Sequence, residues 1–264
     1  LTSLNYNSPR VVALLTDFGL RDQYVGVVKG RILKELTPSL YPHFIDLSHE
    51  IPPQDVRKAS LVLKFSYKYF PEGTIFLCIV DPGVGTERRA IVLRTEKFFF
   101  VGPDNGLFTF ILRESLDLKA WEILPERLLS YPFSATFHGR DLFAPAVALL
   151  LKAEDLSEWT RPLLREALFK LDFPDPEPTP SGFRLSIWDV DRFGNLITNW
   201  EKALSDRPFR VLVDGAEVRL VRTYGEGEEG EVVALFGSEG LLEIAVRNGS
   251  ALERLGKPRI EIVL

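Results

Sequence analysis

Thr74 to Arg88 reads TIFLCIVDPGVGTER: an unbroken apolar run of strand length, then a loop with one proline and two glycines between an aspartate and an arginine. A short apolar run bounded by turn residues fits a strand buried on both faces, as in parallel sheets. Upstream, Val11 to Leu15 is a similar run, followed by the polar turn TDFGLRD and by Tyr24 to Leu36 with helical spacing. His43 to Leu47 predicts another strand and Val56 to Tyr69 an amphipathic helix, with Asp55 placed to cap its first turn. Such alternation predicts a largely parallel sheet covered by helices, and sheets of that kind bind ligands beyond the carboxyl ends of their strands. The loops after strands are therefore where chemistry is expected.

Downstream, Ala90 to Arg94 and Lys97 to Val101 flank a short polar turn and predict a hairpin, followed by the turn PDNG at Pro103 to Gly106. A helix is expected over Asp141 to Lys152. In FPDPEPTPSG, residues 173–182, prolines alternate with polar residues and exclude a helix or a central strand, so the stretch reads as a linker. Beyond it, Phe209 to Val213, Val218 to Val221, Val232 to Phe236, Leu241 to Ala245 and Ile260 to Val263 are short strands between turn signals. The expected organisation is an α/β domain over residues 1–172, a Pro-rich linker over 173–182, and a smaller all-β barrel or sandwich over 183–264.

Composition narrows the function classes. With 264 residues, 45% of them apolar, the chain can bury a full core. No apolar run approaches the roughly 18 residues a membrane span needs, and LTSLNYNSPR lacks the layout of a secretion signal, so a soluble cytoplasmic protein is expected. The single cysteine, Cys78, lies inside an apolar strand and cannot form an internal disulfide, which suits a reducing compartment. A net charge of −5 with scattered Lys and Arg leaves no footprint for DNA or RNA, and no membrane partner is expected.

Four polar clusters follow strands or open helices. After the first strand stand Thr16, Asp17 and Asp22; a carboxylate there can accept both hydroxyls of a ribose, or can simply form a turn, and GxGxxG is absent. In DPGVGTERR, Asp81 supplies an acceptor and Arg88 a permanently charged donor on a loop whose glycines admit close backbone approach; a structural turn with a surface ion pair is the other reading. SATFHGRDLFAP places His138 just before a helix, where Asp141 could cap it, whereas His43 and His49 read as hydrogen-bonded scaffold. In the β-rich part, Asp191, Phe193 and Asn195 in VDRFGNLITNW, with Ser238 to Asn248 in SEGLLEIAVRN, offer an aromatic face and an amide suited to a purine, or a plain strand and turn.

Taken in order, LLTDFGLRDQYVGVVKG, IDLSHEIPPQDV, CIVDPGVGTERRAI, FVGPDNGLFTF, ATFHGRDLFAPAVA, VDRFGNLITNW and SEGLLEIAVRNGSA resemble one family from about Val11 to Ala251. This family is the S-adenosylmethionine (SAM) hydroxide adenosyltransferases, adenosine-forming SAM hydrolases related to fluorinase and chlorinase. The resemblance implies a Rossmann-like N-terminal domain, a small C-terminal β-barrel, and a homotrimer with active sites between subunits. It implies Asp17 on the ribose diol, Phe193 stacked on adenine, and Asn195 with the backbone near Val246 and Asn248 on the adenine edge. Asp22 and Asp191 would hold the methionine ammonium and Ser238 its carboxylate, although Glu239 stands where halogenase relatives carry arginine.

Asp81, Arg88 and His138 match the hydrolase pattern. The fluorinase-like pattern has tyrosine and threonine at the positions of Asp81 and Val84, serine at that of Gly139, and an insertion after Arg94 that is lacking here. The expected substrate is SAM, the product adenosine, and no cofactor or metal is called for. Asp81 and His138 are the candidate proton acceptors, with Arg88 stabilising hydroxide character. Three alternatives remain: a SAM-dependent halogenase, a non-catalytic SAM or adenosine binder, and a phosphohydrolase with a metal on Asp17, Asp22, Asp81 and His138, whose spacing forms no compact ligand motif.

Overall fold

The computed structural model describes residues 10–128, 134–204 and 207–264, so the N-terminal stretch read for a secretion signal lies largely outside the described residues. The chain divides into two compact units, Leu1–Leu171 and Asp172–Leu264. No helix among the described residues is long and apolar enough to cross a membrane.

In the first unit, β1 (Val11–Thr16), β2 (His43–Ser48), β3 (Ile75–Ile79), β4 (Ala90–Arg94), β5 (Phe99–Pro103), β6 (Lys119–Ile123) and β7 (Thr160–Leu163) form one sheet. Its order is β2-β1-β3-β5-β4-β6-β7. β1 pairs in parallel with β2 and β3, and β3 with β5, while β4 runs antiparallel to β5 and β6, and β6 to β7. The helices are α1 (Tyr24–Lys34), α2 (Val56–Ser66), α3 (Thr109–Glu114), α4 (Pro125–Leu128), α5 (Ala144–Leu151) and α6 (Leu156–Trp159).

The two-residue period of a strand explains the layering. Val12 and Leu14 of β1 pack with Val28 and Ile32 of α1 and Val147 and Leu151 of α5. The intervening Ala13 and Leu15 pack with Ala59 and Leu63 of α2 and Ile111 and Leu112 of α3. Both faces are therefore core, and a fully buried Leu such as Leu14 contributes about 1.5–3 kcal/mol. Asp55 caps α2 as expected, accepting from Lys58 N at 2.8 Å. That helix stops at Ser66 rather than Tyr69: the Ser66 hydroxyl donates to Val62 O at 2.7 Å, and a tighter 3-10 turn follows over Tyr67–Tyr69.

The chain leaves β1 for β2 on one side and comes back to β3 on the other. This reversal opens a crevice beyond the carboxyl ends of β1 and β3, the position at which open α/β sheets bind ligands.

In the second unit, β8 (Glu177–Thr179), β9 (Gly182–Leu185), β10 (Ile187–Val190), β11 (Leu196–Glu201), β12 (Arg210–Val213), β13 (Ala216–Leu220), β14 (Val232–Phe236), β15 (Leu241–Val246) and β16 (Ile260–Val263) form a second sheet. Its order is β10-β11-β15-β14-β13-β12-β16-β9-β8, curled into a half-barrel. Leu196, Trp200, Leu242, Ile244 and Ile262 fill its concave side, and α7 (Ala251–Leu255) is capped by Ser250, which accepts from Glu253 N at 3.1 Å.

Two expectations need correction. The Pro-rich stretch 173–182 is no free linker. Phe173 is buried edge-on against Trp188 at 5.7 Å, Pro174 O accepts from Trp188 Nε1 and Asn199 Nδ2 at 3.3 and 3.0 Å, and Glu177–Thr179 is an edge strand. An edge strand leaves one side unpaired, so the missing proline N–H costs nothing there. Asp141 does not cap its helix, because a wide π-type turn over Gly139–Phe143 starts the helix before it. Its carboxylate instead pairs with Arg140 at 2.7 Å and accepts from Ser134 N at 2.9 Å, which pins the loop ahead of His138.

Candidate functional site

Asp81 follows β3 directly, and Arg88 closes the same loop. Arg88 Nε donates to Asp81 Oδ1 at 2.9 Å and Nη2 to Asp81 Oδ2, a two-pronged ion pair with side chains only 8% and 6% exposed. Arg88 Nη2 also lies 3.0 Å from His138 Nδ1, and the guanidinium rests over the Phe143 ring at 5.3 Å. Gly85 makes the juxtaposition possible: its φ is +78°, and a Cβ there would stand 2.6 Å from Ala135 O, so only glycine lets the two loops close up. Asp81, Arg88 and His138, separate in sequence, form one connected cluster.

The electrostatics follow from geometry. A guanidinium has donors only, so His138 Nδ1 must accept and the ring proton belongs on Nε2. Burial, reinforced by the charge of Arg88 and partly offset by Asp81 and Asp141, holds the His138 imidazole below its usual pKa and therefore neutral at pH 7. Arg88 Nη1 is buried without a hydrogen-bond partner among the described residues.

Beside this cluster, at the end of β1, Asp17 Oδ2 accepts from Gln54 N at 2.8 Å. The loop that follows carries Asp22, which is exposed. Phe18, Tyr24 and Phe137 form a triangle of rings with centroids 5.3–6.0 Å apart, joining this loop to the one that bears His138. Phe18 and Phe137 are loop residues without periodicity, so the triangle carried no signal in the sequence. His49 is buried scaffold, as read from the sequence, but its partner is the functional loop itself: Nδ1 lies 2.8 Å from Thr16 Oγ1. Among the described residues no group of three or more His, Cys, Asp or Glu side chains is gathered as a metal site.

In the second unit the β10–β11 hairpin carries the expected aromatic and amide. Asp191 Oδ1 accepts from Phe193 N and Asn195 N, both at 2.9 Å, and Oδ2 from Asn195 Nδ2 at 2.8 Å. The turn leaves the Phe193 ring 75% exposed, unusual for so large an apolar group, and keeps Asn195 buried. Leu196 pairs with Ile244, which sets Asn195 and Phe193 beside the Val246 end of β15; Asn248 follows there with φ +54°. Ser238 lies at the opposite end of β15, on the turn from β14, where its hydroxyl meets Glu239 Oε1 at 3.1 Å. Sequence reading passed over a pair in this unit: the exposed Tyr224 donates its hydroxyl to Oε2 of the buried Glu243 at 2.7 Å, and burial, with the charges of Asp191 and Glu239 adding to it, raises the Glu243 carboxyl.

In the first unit a groove of about 670 Å³ between Phe70, Lys97 and Leu116 lies at the amino ends of β3 and β5, away from the loops after β1 and β3.

Comparison with known proteins agrees with this layout. Residues 12–160 match the model of the SAM hydroxide adenosyltransferase N-terminal domain and residues 185–261 that of its C-terminal domain. The chain is 43% identical over 256 residues to an (R)-S-adenosyl-L-methionine hydrolase of Thermus thermophilus, covering 94% of this chain and 96% of the relative. A fluorinase of an Actinoplanes species is 27% identical, with 93% of each chain covered. A crystal structure of an uncharacterized conserved protein from Thermotoga maritima superimposes with a TM-score of 0.83 at 37% identity, over 95% of this chain and 99% of that one. On its sheet order, its loop clusters and the match of both halves, the chain belongs to the SAM hydroxide adenosyltransferase family.

Proposed function

We propose that the protein hydrolyses S-adenosyl-L-methionine to adenosine and L-methionine, with water attacking C5′ in line with the bond to sulfur. The carrying observation is the Asp81–Arg88–His138 cluster at the carboxyl end of β3, in a chain 43% identical to a named SAM hydrolase. The sulfonium carries the positive charge, so methionine leaves as a neutral thioether and needs no general acid. Oxygen becomes bonded to C5′, the C5′–sulfur pair goes to sulfur, and one water proton must be taken up. As the attacking oxygen bonds to carbon its protons become strongly acidic, and a carboxylate suffices to accept one. His138 carries its proton on Nε2 and its one lone pair, on Nδ1, already accepts from Arg88, which favours Asp81 as acceptor, with Arg88 holding the carboxylate and stabilising hydroxide character.

For the ligand, Asp17 takes the ribose hydroxyls beside its Gln54 contact. The exposed Phe193 ring stacks on adenine, and Asn195, Val246 and Asn248 read its edge. Asp22 and Asp191 serve the ammonium and Ser238 the carboxylate. The separation of Phe193 and Ser238 to opposite ends of β15 suits an elongated molecule with a base at one end and an amino acid at the other. The reaction needs no cofactor and no metal. We take the assembly to be a homotrimer in which active sites draw on neighbouring subunits, checked by light scattering, and the compartment to be the cytoplasm, which the buried, raised and unreactive Cys78 thiol suits.

Incubation with SAM in ¹⁸O-labelled water should yield adenosine labelled at O5′. Adenine or methylthioadenosine instead would refute the reading, and saturable binding without product would indicate a sensor. Chloride and fluoride in the incubation should not give a 5′-halo-adenosine, because Asp81, Val84 and Gly139 offer no side-chain hydroxyl to a halide.

A further inference from the structure

Beneath Asp17 runs a chain of polar groups that the proposed reaction does not use. Thr16 and His49, only 1% and 4% exposed, meet through Oγ1 and Nδ1 at 2.8 Å. His49 Nε2 faces Asp46 Oδ1 at 3.0 Å, off the line of a straight hydrogen bond, and Asp46 Oδ2 takes Lys29 Nζ of α1 at 2.7 Å. A hydroxyl, an imidazole and a carboxylate in sequence are the parts of a nucleophile and its base. Here the hydroxyl is sealed from substrate, and it already accepts Phe18 N–H at 3.2 Å.

The carboxylate beside Nε2 places the ring proton there, so Nδ1 accepts from the Thr16 hydroxyl, whose own oxygen then accepts Phe18 N–H. The Thr16 hydroxyl is thereby used both as donor and as acceptor, and both bonds hold the loop. Backbone ties run alongside: Gly19 N donates to His49 O at 2.7 Å and Gln54 N to Asp17 Oδ2 at 2.8 Å. Gly19 at φ +65° and Gln54 at φ +66° adopt the left-handed backbone needed for these two contacts, and for Gln54 that conformation is strained. The cause is visible in the strand pairing. The β1–β2 register shifts between Leu14 and Leu15, whose partners are Asp46 and Ser48, and this bulge brings His49 over Thr16.

We infer that Thr16 and His49 are positioning residues for Asp17, locking the loop after β1 so that the carboxylate is preset for a ligand diol. The inference rests on the ribose role of Asp17. Preset geometry acts on binding, since it removes the cost of ordering the loop when the ligand arrives.

The test is a double-mutant cycle on adenosine affinity by calorimetry, with SAM kinetics and thermal melting in parallel. Thr16→Val and His49→Phe should each raise the adenosine Kd and the SAM KM about tenfold with kcat within about twofold, and Thr16→Ser should restore wild-type values. Asp17→Ala should weaken adenosine binding, and adding Thr16→Val to it should cost nothing more. An equal loss from Thr16→Val with or without Asp17 would overturn the inference, as would unchanged Kd in a folded Thr16→Val protein. Unchanged adenosine affinity in Asp17→Ala alone would overturn the ribose reading and the inference with it.

Discussion

Arg88 Nη2 and His138 Nδ1 stand 3.0 Å apart although fifty residues separate them, and the same nitrogen holds Asp81. One guanidinium thus sets the orientation of a carboxylate and the tautomer of an imidazole.

Breaking this link should separate chemistry from folding. Asp81→Asn keeps the shape of the site and should lower turnover roughly 10²- to 10⁴-fold with SAM binding retained, read by chromatography of adenosine. Arg88→Ala strands a buried carboxylate and should in addition cost about 3–5 kcal/mol in urea unfolding. Wild-type turnover in both variants would remove the cluster from the mechanism.

Burial and Arg88 keep His138 below the usual imidazole pKa, so the active, neutral form should persist down to about pH 6.5 and be lost only beneath it. The sign for stability is the same. Between the two pKa values the unfolded chain binds the extra proton, so this group's contribution is present above about 6.5 and is lost as pH falls through the lowered folded value. A kcat profile with NMR titration of His138 checks it; an acid limb above pH 7 assigned to His138 would contradict it.

Phe193 is 75% exposed and supports nothing in the core. Phe193→Ala should therefore leave the melting curve nearly unchanged, within about 0.5 kcal/mol, while weakening both SAM and adenosine by roughly tenfold through lost stacking. Calorimetric titration with adenosine and with ribose would separate base from sugar: only adenosine binding should suffer.

Gly85→Ala combines a positive φ with a collision against Ala135 O. We expect a loss of about 1–3 kcal/mol by chemical denaturation and, because the loops part, a drop in kcat larger than any change in KM. An unaltered kcat would mean that the approach of these loops is unimportant to turnover.

The strands and helices that were legible in the sequence are those with strong periodicity. Val11–Thr16 and Ile75–Ile79 stood out because alternate residues face two cores, and α2 because one face meets a single core. Two elements did not stand out. Glu177–Thr179 was hidden by its prolines, which argue against a central strand but are harmless at an edge, and the helix start at Gly139 was hidden because Asp141 has the chemistry of a cap and was used elsewhere. Asp17, Asp22, Asp81 and Arg88 lie in loops after β1 and β3, where the sequence placed them. The pairings around them were not legible: Thr16 with His49, the Phe18–Tyr24–Phe137 triangle and Tyr224 with Glu243 depend on contacts across 6 to 119 residues of chain.

By itself the DPGVGTER stretch determined that a carboxylate and a guanidinium would sit on a tight loop after a buried strand, since apolar run length and glycine placement are local properties of the chain. Only the tertiary structure decided that His138 completes the cluster through Nδ1, that Gly85 must be glycine to allow it, and that a bulge in β2 slides His49 under Asp17. Distances of 3 Å between residues far apart in sequence are set by how the sheet orders its strands and how closely its loops pack, and no local pattern encodes either.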